Sequence, residues 1–247
     1  NDVSVDPETH ALVRASSEGM INPADLNAIE EAMQLKEQTD GKVVVFTMGP
    51  PDAEKALRDA MALGCDESCL ITVAGGDTVA TAKVLAKAIQ LYGEFDLILG
   101  GALSADGATG QVAAMVAEEL NLPHVVEIQS VKYKEDQAGK VEVVKKMHDT
   151  SFRIACATPA VLSVNFGCNE PRLATLRSKR AAKSKPLVTY TNAELGFAAE
   201  EVGIKGSPTV TVDSFQPETK RSAKMLTGTP AELAKQLYDL IEEEKGK

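Results

Sequence analysis

Continuous apolar blocks of strand length alternate with helix-period stretches through the first half of the chain. VVVF (43–46), CLITV (69–73) and FDLIL (95–99) have the character of strands buried on both faces. Leu26, Ile29, Met33 and Leu35 recur at near-helical spacing; Asn22-Pro23 is predicted as the cap and first turn of that helix, and Asp40-Gly41 as its stop. DAEKALRDAMALG (52–64) and GGDTVATAKVLAKAIQLYG (75–93) predict two further helices, and a fourth starts after FDLIL. This alternation predicts an α/β fold with a doubly wound, mostly parallel sheet, whose ligands sit beyond the carboxyl ends of the strands. The turns GPPDA, AGGDT and GGALSADGATG all follow strands and should share one rim.

From about residue 123 the pattern shifts to shorter, strand-rich pieces: HVVEIQSVKYK, KVEVVKKM, FRIACAT and AVLSVNF, with EDQAG (135–139) as a hairpin turn. Beyond Asn165 regularity falls away, until an amphipathic helix, AELAKQLYDLIEEE, near the end. The last third is expected to behave as an arm, packing on something other than its own core. The expected division is an α/β domain over 1–190 and a C-terminal arm and helix over 191–247.

The segment GGALSADGATGQVAAMV (100–116) sets Asp106, Gly107, Thr109, Gly110 and Gln111 in one turn between a strand and a helix. Glycines permit positive φ and close approach, and a helix start offers unpaired N–H groups and positive partial charge. No Lys-Ser/Thr follows, so it is not a P-loop, and it is not GxGxxG in a first βα turn. On these residues alone, a small-residue turn and an anion cradle fit equally well.

Charge and composition narrow the partners. A formal net charge of −10 argues against nucleic acid. The longest apolar runs fall short of the roughly 20 residues that a membrane helix needs. Cys65, Cys69, Cys156 and Cys168 lack metal-ligand spacing and are expected as buried free thiols in the cytoplasm or another reducing interior. His124 and His148 have no nucleophile at a readable spacing, and Glu30 and Glu31 are expected on a solvated helix face. No catalytic nucleophile and no metal site emerge.

Seven stretches, in order, resemble the β subunits of electron-transfer flavoproteins: VDPETHALVR (5–14), INPADLNAIEEAMQLKE (21–37), FTMGPPDAEKALRDAMALGCDE (46–67), GGDTVATAKVLAKAI (75–89), DGATGQV (106–112), NEPRLATL (169–176) and GSPT (206–209). The resemblance spans essentially the whole chain. It implies an adenine nucleotide α-hydrolase-like fold and a heterodimer with an α subunit that holds a redox FAD. It also implies an adenine nucleotide in this subunit: AMP in the common type, FAD in the electron-bifurcating type. The implied cofactor contacts are Asn22, Met48, Gly49, Asp77, Thr78, Thr81, Asp106, Gly107, Thr109, Gly110, Gln111 and Val112. Partner recognition is implied for Asn169, Glu170, Pro171, Arg172, Leu173 and Leu176, facing an acyl-CoA or other flavin dehydrogenase. Methylated lysines lie just beyond that loop in some members, which points to Lys183 and Lys185 here.

There are departures. Family members open with a strand and loop reading roughly VxVKQVPD, which these residues lack, so the set of nucleotide contacts is expected to be incomplete. Ala102 and Ala108 replace a Gln and an Asp usual in the loop, and Phe152 stands where a Glu or Gln is usual. GGDTVATA and TMGPPDAEKALRDAMALG look more like the bifurcating branch, which favours FAD. The segment 171–185 carries six basic residues and no acid, with Leu173 and Leu176 as apolar anchors. A non-redox nucleotide-binding stress or sensor module of the same fold is the alternative, though such modules lack NEPR and the long arm.

Overall fold

The computed structural model describes residues 4–5, 12–13, 19–134, 139–210, 212 and 225–245. The elements run β1 (Ser4–Val5), β2 (Leu12–Val13), α1 (Pro23–Thr39), β3 (Val44–Met48), α2 (Glu54–Leu63), β4 (Glu67–Ile71), α3 (Thr78–Tyr92), β5 (Leu97–Gly101) and α4 (Val112–Leu120). There follow β6 (His124–Tyr133), β7 (Lys140–Met147), β8 (Thr150–Ala157), β9 (Ala160–Val164), α5 (Leu176–Ala182), β10 (Leu187–Tyr190), α6 (Asn192–Leu195) and α7 (Pro230–Lys245). Most of the predicted EDQAG turn, residues 135–138, lies outside the described residues.

The fold is α/β. One sheet has the order β10-β4-β3 and is wholly parallel. A second has the order β5-β9-β6-β7-β8, parallel from β5 to β6 and antiparallel from β6 to β8, and β1 and β2 form a separate antiparallel pair. Side-chain alternation along the strands shows helices on both faces. Leu97 and Leu99 of β5 pack in the cluster that includes Ala28 and Leu35 of α1, whereas Ile98 packs with Val116 of α4. Likewise Val45 of β3 meets Ala60 and Met61 of α2, and Phe46 meets Val84 of α3. Phe46 and Ile98 also share the cluster under α3 and α4, although no hydrogen bond joins β3 to β5 among the described residues. Both strands are half-buried throughout, while β9, paired on both sides, is buried at every residue.

The arm expected after Asn165 does not hold for its first part. β10 pairs with β4 in the sheet, and Ala182 of α5 is buried against α2. Packing onto the α/β body also continues past residue 190, because Leu195 and Val202 bury beside Cys69, Ile71 and Val84. A run as short as LVTY carries too little periodicity to announce a core strand; its place is decided by the open edge of β4. Burial pushes the Cys65 thiol up to about 11 and the Cys69 thiol up to about 12, which leaves both unreactive. No helix among the described residues is long and apolar enough to cross a membrane.

Candidate functional site

Parallel pairing of β3 with β4 puts Met48 opposite Ile71, so the loops after both strands leave the same edge. Gly49 N–H donates to the Ile71 carbonyl at 3.0 Å, which holds the first loop against the second. The Met48 side chain packs half-buried beside β4 and α3, whereas Gly49 reaches the rim. Thr78 Oγ1 donates to Gln111 Oε1 at 3.3 Å and so joins the loop after β4 to the loop after β5. The three glycine-bearing turns thus converge on one rim.

The two helices that start there differ. The α3 start is capped: Asp77 Oδ1 accepts from Ala80 N–H at 3.0 Å, and Thr81 N–H donates to the Asp77 carbonyl at 3.0 Å. Asp77 Oδ2 accepts from Thr209 N–H and Oγ1 at 3.0 and 2.7 Å, and Ser207 Oγ accepts from Asp77 N–H at 2.8 Å. The GSPT turn is therefore latched to the start of α3. Among the described residues the α4 start has no side-chain cap: Gln111 stands at the cap position in helical conformation, and its side chain does not bond the first turn. Val112 turns its side chain inward, onto the cluster shared with Ile98, and contributes backbone to the rim.

Residues 102–111 approach α4 through a turn in which Ala108 N–H donates to the Ser104 carbonyl at 3.1 Å and to its hydroxyl at 3.2 Å. Gly107 N–H donates to Asp106 Oδ1 at 2.7 Å. Gly110 has φ of +65°, a conformation that a side chain would strain, and Thr109, Gly110 and Gln111 are exposed at the crest.

The cap expected at Asn22 is absent. Asn22 Nδ2 donates instead to Asp25 Oδ2 and to the Leu103 carbonyl, both at 3.0 Å, and Oδ1 accepts from Ala105 N–H at 3.0 Å. Asp25 Oδ1 accepts from Gly101 N–H at 2.6 Å. Pro23 already removes one donor from the first turn of α1, so the Asn22 amide serves as a brace between α1 and the 102–108 loop.

The segment after β9 runs back along α1, and here the sequence expectation for Glu30 and Glu31 is overturned. They are 6% and 3% exposed, because α1 is covered by the sheet on one side and by residues 167–172 on the other. Arg172 forks onto Glu30, with Nε to Oε2 at 2.8 Å and Nη2 to Oε1 at 3.0 Å, and its Nη1 reaches Glu37 Oε1 at 2.7 Å. The guanidinium holds the Glu30 carboxyl below the usual carboxylate range. Asn169 exchanges hydrogen bonds with Asn27, which is 2% exposed, and donates to Glu31 Oε1 at 2.9 Å. Asn169 and Arg172, two of the six predicted recognition residues, thus point inward. Pro171 is half-buried and Glu170 exposed, while Leu173 and Leu176 stand 92% and 81% exposed.

The basic stretch divides in the same way. Arg177, Lys179, Arg180 and Lys183 are exposed on or beside α5. Lys185, expected with Lys183 as a methylation target, is committed elsewhere: its Nζ donates to the Met61 and Cys65 carbonyls at 3.1 and 2.5 Å, at the end of α2. A trimethylated ammonium could not make those bonds. The network of Asn27, Glu30 and Glu31 with Asn169 and Arg172 escaped the sequence reading; matching Asn-x-x-acid and Asn-x-x-Arg spacings were its one visible signal.

Comparison with known proteins places these features in a family context. The electron transfer flavoprotein domain profile matches residues 9–195. Electron transfer flavoprotein subunit beta of Thermoanaerobacterium thermosaccharolyticum is 38% identical, over 98% of this chain and 93% of its own. The caffeyl-CoA reductase-Etf complex subunit CarD of Acetobacterium woodii is 33% identical, over 98% and 94%. The acryloyl-CoA reductase electron transfer subunit gamma of Anaerotignum propionicum is 36% identical, over 97% and 92%.

Proposed function

Because the chain belongs to the electron transfer flavoprotein family, we propose that it is the β subunit of a heterodimer, holds an adenine nucleotide at its rim and serves electron transfer between a flavin dehydrogenase and a downstream acceptor. The observation that carries the nucleotide site is the contrast between the two helix starts. At α3 the Asp77 carboxylate already satisfies the first turn and supplies negative charge, so an anion there would face another anion. At α4 no side chain among the described residues is seen to cap the first turn, and Gly107 and Gly110 let the backbone come close to a ligand. The phosphates therefore belong at residues 107–113, with Thr109 and Gln111 as side-chain donors. Asn22 and Asp25 act behind them as braces.

FAD rather than AMP is the nucleotide proposed for this subunit. The sequence around Asp77 and Thr78 looks like the bifurcating branch, and two relatives are named as parts of a caffeyl-CoA and an acryloyl-CoA reductase system. Bound FAD supplies the ring that takes up and gives up electrons, while the protein provides binding, orientation and electrostatics. The test is the nucleotide released on denaturing the native heterodimer: two FAD per αβ pair are expected, and one FAD with one AMP would overturn this choice. Thr109→Val is expected to lower nucleotide retention about fivefold, from loss of one hydroxyl donor. Full retention in that variant would remove Thr109 from the cradle.

Leu173 and Leu176 are proposed as apolar anchors for the dehydrogenase, with the exposed basic residues of α5 steering the encounter. The exposed Leu237, Tyr238 and Ile241 of α7 would pack on the α subunit. Leu173→Ala is expected to raise the KM for the heterodimer as electron acceptor about fivefold while nucleotide content stays complete. Steady-state reduction by an acyl-CoA dehydrogenase across heterodimer concentrations measures it.

A further inference from the structure

The loop bearing the two exposed leucines begins where β9 stops. Val164 is the last β9 residue paired with β6, opposite Ile128, and Asn165 N–H still donates to the Ile128 carbonyl at 3.0 Å. The chain then turns away, and among the described residues no strand lies beside the next stretch of that β6 edge. Glu31 fills the place: its Oε2 accepts from Val131 N–H at 3.0 Å in a buried bond. Its other oxygen accepts from Asn169 Nδ2. One carboxylate on α1 thus ties the sheet to the start of the loop, and the Arg172 fork on Glu30 ties down its far end.

The network has a direction. Asn27 Nδ2 donates to Asn169 Oδ1 at 2.7 Å, which fixes the Asn169 amide with its nitrogen toward Glu31. Position 31 therefore receives two donors, one from Val131 and one from Asn169, and needs two acceptors. A carboxylate meets this and a glutamine does not, since its NH2 would face one of the two donors. Leaving a buried donor without an acceptor is the costly case in hydrogen bonding.

We propose that Glu31 is a positioning residue for docking: through Asn169 it presets the loop so that Leu173 and Leu176 are presented to the dehydrogenase with little further ordering on encounter. This rests on the reading of those leucines as partner anchors. Charge is not the requirement; the direction of the hydrogen bonds is. Exchanging the two groups should then restore the arrangement. A glutamine at position 31 can accept from Val131 and donate to an aspartate at position 169, which still accepts from Asn27 and gives up only the bond from Asn169 Nδ2 to the Asn27 carbonyl.

The experiment uses the intact heterodimer, reduced by an acyl-CoA dehydrogenase, together with amide hydrogen exchange over residues 166–176. Glu31→Gln is expected to speed exchange in the loop about tenfold and to raise KM about fivefold, with kcat changed less than about twofold. The double variant Glu31→Gln, Asn169→Asp is expected to recover most of both, short of the one bond to the Asn27 carbonyl that it gives up. Leu173→Ala should raise KM with no change in exchange. If Leu173→Ala raises KM and Glu31→Gln does not, or if the double variant fails to recover KM, the positioning role is overturned while docking stands. An unchanged KM in Leu173→Ala overturns the docking reading beneath it.

Discussion

Gly101→Val is expected to cost about 2–4 kcal/mol of stability and to strip the subunit of most of its nucleotide. A Cβ at position 101 would lie 2.8 Å from both the N and the Oδ1 of Asp25 and 2.9 Å from the Ala24 carbonyl carbon. Two of these three atoms are backbone of the first turn of α1, so a side-chain rotation cannot relieve the contact. The helix start must move, and with it go the Gly101–Asp25 bond and the Asn22 braces to Leu103 and Ala105. Overpacking alone accounts for about 1–3 kcal/mol, and the lost hydrogen bond to a charged group adds to it. Denaturant unfolding gives the stability change, and the nucleotide content of the purified heterodimer gives the functional one. A variant with unchanged midpoint and full nucleotide would show that α1 does not brace the loop.

The second large effect belongs to Asp77→Ala, which removes the α3 cap and the Thr209 half of the latch on the GSPT turn together, leaving only the bond from the residue 77 N–H to Ser207. A lost cap costs about 1 kcal/mol, and the charge-assisted bonds from Thr209 bring the expected total to about 2–3 kcal/mol. Gly76 shows how tightly the junction is built, since a Cβ there would sit 2.6 Å from the Gly203 carbonyl oxygen and from Ser207 Oγ. Burial opposes ionisation of Asp77, but the donors from Ala80 and Thr209 outweigh it and hold its carboxyl below the usual range. A folded-state value below the unfolded one means that the stabilisation is present in full above the ordinary carboxylate range and fades as pH falls through the folded value. The stability gap between wild type and Asp77→Ala should therefore shrink on acidification from neutral pH. A gap independent of pH would assign the loss to helix propensity and packing, not to the carboxylate. Asp77→Asn should fall between the two, because its amide nitrogen would face the Thr209 donors.

Much of the local structure was legible in the residues. Asp40 does end α1 in a left-handed conformation, and the strands around KVVVFTM, CLITV and AVLSV are present within a few residues of their expected limits. Such features follow from short-range physics: apolar period, capping chemistry and the positive φ that ends a helix. The convergence of GPPDA, AGGDT and the 100–111 loop followed from one further step, that parallel strands with crossovers put their carboxyl-end loops together.

Reading helix amphipathicity alone failed for Glu30 and Glu31. An apolar stripe with acids opposite normally means a solvated face. Here the opposite face is covered by a segment some 140 residues away in the chain, and buried carboxylates are tolerated because Arg172, Asn169 and the Val131 amide meet them. Asn22 failed for a related reason. Its residue type favours an N-cap, but the carbonyl and amide of the 103–105 segment offered its side chain other partners.

By itself the sequence determined the α/β class, the family, the strand-end position of the glycine-rich loop and the pair of leucines beside a basic segment, because each is written in contiguous residues. Only the tertiary structure decided which helix start Asp77 caps, that Asp77 holds the GSPT turn, and that the NEPR motif faces its own helix through Asn169 and Arg172 while Leu173 and Leu176 beyond it face out. These outcomes depend on where hydrogen-bond donors and acceptors from distant segments meet, and no local pattern encodes a partner that lies a hundred residues away.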